Sequence, residues 1–137
     1  MADISVNPLY LKDAVITVDG DTYEKAVSSV KFTPSTTTAT YKGLTPEAVY
    51  TESGSATWVV DIAYVQDWDG ADSFSAYLFN NEGSQVTMTF KPQALSGGTF
   101  SATVIIAPGS VGGAVDSFGT STVSLGVQGK PTYTPAV

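Results

Sequence analysis

Apolar and polar residues alternate through most of the chain. Thr57 to Gln66 (TWVVDIAYVQ) puts Trp58, Val60, Ile62 and Tyr64 on one side. Gln85 to Lys91 (QVTMTFK) sets Val86, Met88 and Phe90 against Gln85, Thr87, Thr89 and Lys91. Thr99 to Ala107 turns Phe100, Ala102, Val104 and Ile106 one way, and Thr120 to Gln128 does the same with Val123, Leu125 and Val127. Such a period of two predicts half-buried β-strands. Ala14 to Val18 is another extended run, ended by the turn signal Asp19-Gly20-Asp21. From Ala26 to Thr33, Ala26, Ser28, Val30 and Phe32 alternate with Val27, Ser29, Lys31 and Thr33, and Pro34-Ser35 is expected to stop the strand. Thr36 to Lys42 reads as extended, and Gly43 to Ser55, with Pro46 and no steady period, as a long loop.

The period changes once. Phe74, Tyr77 and Leu78 stand at i, i+3 and i+4, which predicts one short helix over about residues 72–82. Asp69 or Asp72 is the expected N-cap, and Gly83 suits the left-handed position after the helix.

Composition points the same way. Val (16) far outnumbers Leu (6) and Ile (5), and Thr (18) with Ser (15) makes the chain rich in hydroxyls. β-Branched residues are stiff at χ1 and fit a pleated sheet better than a helix. The expected fold is all-β with one short α-helix: an antiparallel β-sandwich or partial barrel in a single domain, 1–137. Its expected core is Phe32, Trp58, Val60, Ile62, Phe74, Leu78, Phe90 and Val104.

Absent residue types narrow the function. The chain has no Cys, no His and no Arg, so disulfides, thiolate or imidazole metal ligands and Ser–His–Asp or Cys–His nucleophiles are excluded. Its six cations are all Lys, against 13 Asp and Glu, for a net charge of −7. Without guanidinium forks and with a repelling field, the chain is not built to grip nucleic acid. Met1 to Asp13 lacks the basic start and apolar stretch of a signal peptide, and the longest uncharged run, Pro92 to Val115, is broken by Pro and five Gly. The expectation is synthesis in a reducing cytoplasm, with no membrane binding by this chain.

Motifs that carry chemistry fail on inspection. Asp67-Trp-Asp-Gly-Ala-Asp72 begins like a calcium loop, but Ala71, Asp72 and Leu78 stand where a ligand, Gly and a bidentate Glu are required. It reads as a strand-to-helix turn. Gly126 to Thr132 contains Gly-Lys, yet Ser124 and Pro131 occupy positions that a phosphate loop gives to Gly and Ser/Thr. Asp61 has no second acid beside it for glycoside hydrolysis and faces away from Trp58, Val60, Ile62 and Tyr64. Trp58 reads as a core aromatic and Trp68 as an anchor flanking the helix, not as a sugar platform. No catalytic, cofactor-binding or metal-ligating set is expected, and the chain does not read as an enzyme.

One feature asks for a function. Ser29, Lys31, Thr36, Thr38, Thr40, Thr87, Thr89, Lys91, Ser101 and Thr103 are expected to line several strands on the side away from the core. Solvated sheet faces ordinarily carry more charge, partly to block edge pairing. A smooth Thr/Ser face suits a surface that touches something without gripping it, or edges that pair between subunits.

With these residues in place, the chain resembles the major tail tube proteins of long-tailed bacteriophages, especially those infecting actinobacteria. The matching stretches are Val30-Lys-Phe-Thr-Pro34, Thr40-Tyr-Lys-Gly-Leu44, Trp58 to Trp68, the helix with Tyr77-Leu78, Val86 to Pro92 and Gly129-Lys-Pro-Thr132. In order they span about residues 26–132. The resemblance implies a β-sandwich with a flanking helix, assembled into hexameric rings that stack into a virion tube. It further implies that DNA passes through the tube unbound, and that tape-measure, tail terminator and baseplate proteins are partners. The segment 34–55, with Leu44, Pro46, Glu47, Tyr50 and Glu52, matches a loop that stacks rings, and the hydroxyl face then lines the lumen or the subunit seams. The alternative is a β-sandwich binding module, an adhesin or virion decoration, with carbohydrate as one ligand class.

Overall fold

Asp19 and Gly20 both take positive φ, 52° and 87°. That pair of left-handed residues is what a two-residue hairpin turn needs. It joins β1 (Val15–Val18) to β2 (Asp21–Thr22), with Val18 opposite Asp21. In the computed structural model, which describes residues 3–93 and 97–135, the further elements follow in chain order. They are β3 (Val27–Ser35), β4 (Thr38–Lys42), β5 (Val49–Ser53), β6 (Thr57–Val65), α1 (Phe74–Asn80), β7 (Gln85–Lys91), β8 (Thr99–Ile105), β9 (Thr120–Val127) and β10 (Thr132–Thr134).

Every described strand pair is antiparallel, and the fold is all-β with one short helix. The main sheet runs β2-β1-β7-β8-β9-β6-β3, with β10 also on β8. β8 and β9 share only two residue pairs, Val104–Val127 and Ile105–Gly126, because β10 takes the same strand at Thr99–Ser101. The sheet folds over at that short join. Phe32, at the β3 end, therefore comes within 6.4 Å of Phe90 on β7.

Two layers result, with one apolar face each turned inward. Ile16, Val18, Met88 and Val104 of one layer meet Val60, Ile62, Val123 and Leu125 of the other, all buried. The helix closes one end. Phe74 and Leu78 are buried, and Phe74 lies edge-on to Tyr64 at 5.1 Å and tilted against Tyr23 at 5.0 Å. No buried side-chain N or O among the described residues lacks a hydrogen bond.

Several expectations are corrected. The helix is shorter than 72–82, and its N-cap is Ser73, whose Oγ accepts from the Ala76 N–H, rather than Asp69 or Asp72. Pro34 and Ser35 do not stop β3 at Thr33 but are its last two residues, paired with Trp58 and Thr57. Proline is admissible there because β3 is the last strand of the sheet. Between Val27 and Ser29 the register shifts, so Val27 as well as Ala26 packs on the core and the simple alternation breaks. Val49–Ser53 is a strand, not part of a loop. Of the expected core, Val60, Ile62, Phe74, Leu78, Phe90 and Val104 are buried, Phe32 is half-buried against them, and Trp58 lies outside the core cluster.

Candidate assembly surface

Strand register decides which hydroxyl residues share a face. Thr17 stands opposite Thr22 on one side and Thr89 on the other; Thr89 stands opposite Ser101, and Ser101 opposite Thr132. Thr87 opposes Thr103, and Lys91 opposes Val15. The outer face of this layer is thus a row of small hydroxyls with Lys91 near its edge. Ser29 and Lys31 belong to the outer face of the other layer, where they oppose Ala63 and Asp61. Asp61 in turn accepts a hydrogen bond from the Ser124 hydroxyl. Thr36 precedes the β4–β5 hairpin, and Thr38 and Thr40 lie on it. The ten residues therefore occupy three places, not one face. Thr17, Thr22 and Thr132 extend the first row; single-strand alternation could mark Thr17 as outward but could not align it with Thr89.

The hairpin is the second feature. β4 and β5 pair from Thr38–Ser53 to Lys42–Val49, Gly43 N–H donates to the Ala48 carbonyl (2.6 Å), and Gly54 N–H closes the base on the Thr37 carbonyl (2.8 Å). Tyr41 and Tyr50 stack across the strands at 6.3 Å, and the Thr40 and Thr51 hydroxyls lie 3.3 Å apart. All ten strand residues are exposed, as are Leu44, Pro46 and Glu47 at the turn. These two strands contact no other described element. An isolated two-stranded hairpin is marginal in water, so this arm lacks the packing partner that its aromatic residues need.

An apolar trough is the third. Phe32 and Trp58 line it beside Phe100 and Tyr133, which stack at 5.2 Å, and the extended N-terminal segment contributes Leu9 and Leu11. Lys130 borders it, Lys31 adjoins it from the outer face of β3, and no carboxylate lines it. Trp58, half-buried, belongs to this surface. Trp68 sits elsewhere, edge-on to Phe79 at 6.1 Å, its indole N–H donating to Gln66 Oε1. Gln66 also ties down the 108–119 connection, which was not assigned from the sequence. Its amide donates to the Gly112 and Thr120 carbonyls, and its Oε1 accepts from the Gly112 N–H.

The turn before the helix uses its own acid. Asp67 Oδ1 accepts from the Asp69 and Gly70 N–H groups, at 3.1 and 3.3 Å. Among the described residues no three Asp or Glu side chains converge on a point where a metal could sit. From within the helix, Tyr77 donates to Asp19 Oδ2. Partial burial, the Asp19 carboxylate and that hydrogen bond push the Tyr77 hydroxyl up to about 12. Tyr23 is raised too, by burial first and then by Asp21, Asp72 and Asp19. Neither group offers an acid or base near neutral pH. What the surface can do is contact other surfaces. No protein-family model matches the chain, and no curated protein does.

Proposed function

We propose that this chain is a self-assembling structural subunit, the major tube protein of a bacteriophage tail, whose rings stack into a conduit for DNA. One observation carries the reading. The sheet ends in the nine-residue strand β3, which pairs on one side only among the described residues and carries a single charge, and it leads directly into an arm whose strands pack on no other described element. Such an edge is a liability for a monomer and a joint for an oligomer. A net charge of −7 with no Arg suits a channel that must release a polyanion. Hexameric rings, and contacts with tape-measure, terminator and baseplate proteins, come from the resemblance.

Negative-stain microscopy of the concentrated protein tests this, with rings or tubes expected. Deleting residues 38–53, so that Thr37 joins Gly54, removes the arm at a point where the backbone already closes. The shortened chain is expected to stay folded and soluble and to form no long tubes. A wild-type chain that sediments as a monomer at every concentration would place it among the binding modules instead. Normal tubes from the shortened chain would free the arm of any role in stacking.

A further inference from the structure

We propose that the apolar trough is the receptor for the arm of a second copy of this chain. The inference rests on the reading of the chain as a self-assembling subunit and names the surface the arm meets. Register gives the arm two unlike faces. Tyr41 and Tyr50, with Ala39 and Glu52, share one; Thr38, Thr40, Lys42, Val49, Thr51 and Ser53 share the other. Beyond the aromatic pair, Leu44 stands fully in solvent at the turn, with Glu47 close by. The tyrosine face of the arm thus presents two stacked rings and the Glu52 carboxylate, with Leu44 and Glu47 at the tip and Lys42 on the opposite face, and its strands contact no other described element.

The trough has the complementary chemistry. Phe32, Trp58, Phe100 and Tyr133 supply an aromatic lining. Lys130 flanks it, one of only six cations in the chain, while none of the 13 acids lines it; Lys31, on the outer face of β3 opposite Asp61, takes no part in this pairing. Aromatic residues in a groove with polar or charged borders are the usual anchors of protein contacts, and opposite charges select the partner and steer the approach. The arm leaves the sheet after Ser35 and contacts no other described strand of its own subunit, so its own trough is not its seat. The contact joins two different patches, which makes it head-to-tail and lets it propagate from copy to copy.

A photo-crosslinking phenylalanine analogue in place of Leu44 tests the contact directly, since that side chain is fully exposed and the trough is left unaltered. Irradiation followed by peptide mass spectrometry is expected to place intermolecular links beside Trp58, Phe100 or Tyr133. Links confined to one chain, or landing on another surface, overturn the proposal. Charge reversal gives the second arm of the test. Lys130→Glu is expected to raise the concentration needed for assembly by about tenfold, because facing like charges cost several kcal/mol and about 1.4 kcal/mol is a factor of ten. Adding Glu47→Lys and Glu52→Lys to the same chain is expected to bring it back toward wild type. No recovery, in a variant that melts like wild type, overturns the proposal. Tubes whose links avoid the trough sink the receptor but leave the tube reading standing. Dimers linked through the trough without rings or tubes support the receptor and count against the tube.

Discussion

Tyr77 shows how a single contact sets a pH limit. Its hydroxyl donates to Asp19, on the hairpin turn between β1 and β2, and its folded-state pKa is raised from 10 to about 12. Below pH 10 both folded and unfolded chains hold the proton, and the bond is fully present. Between pH 10 and 12 the unfolded chain gives up the proton first, so stability falls as pH rises through that window. The melting temperature is expected to drop over this range, and Tyr77→Phe is expected to flatten the drop. An equally steep drop in the variant would assign the loss to other groups. Nothing in the sequence brought Tyr77 and Asp19 together, because the pairing depends on how a helix crosses a hairpin 58 residues away. Trp58 was misjudged for a related reason. Its alternation with Val60 and Ile62 is correct, but it lies opposite Pro34 at the start of β6, where the inward face has left the core and become the trough.

Among the elements, those with one buried face were legible and those without one were not. β7 was read to the residue, since Met88 and Phe90 are buried while Gln85 and Thr87 are exposed. β5 was read as loop because all five of its residues are exposed and no alternation is needed. Pro34 looked like a strand end, yet an edge strand has no partner to miss its N–H. The helix phase was readable because Phe74 and Leu78 share the inner face, although Ser73 took the cap in place of the acids. Leu78→Ala opens a cavity between helix and sheets, and such losses usually cost about 2–5 kcal/mol. We expect a clear fall in melting temperature and folding yield, measurable on the subunit alone. An unchanged melting temperature would mean that the helix does not depend on this contact.

At the scale of the molecule, what sequence could not supply was register. Ten hydroxyl-bearing and Lys positions looked like one surface; strand pairing divides them between two outward faces and the arm. The largest group, Thr87, Thr89, Lys91, Ser101 and Thr103, spans adjacent strands and is joined by Thr17 and Thr132. On the tube reading, this smooth face lines the channel or the subunit seams. Thr87→Lys with Thr89→Lys puts two cations in its middle, repeated around each ring, and each phosphate neutralised steepens the salt dependence of DNA binding by about 0.9. Tubes are expected to assemble, while DNA ejection slows more at low salt than at high. Ejection at wild-type rates over a whole salt series would remove this face from the channel wall.

The arm and the trough also give direction. A chain that offers a protruding hairpin in one place and a receptive hollow in another can only be strung together in a single sense. Every filament so built ends in unoccupied hairpins on one side and vacant hollows on the other. Growth, capping and attachment at the two ends are then different chemical problems. A stopper for one must imitate a Lys-flanked aromatic hollow, and a stopper for the other must imitate an acidic, tyrosine-bearing finger. In a filament built this way, orientation along its whole length would follow from the placement of sixteen residues, 38 to 53, within each link.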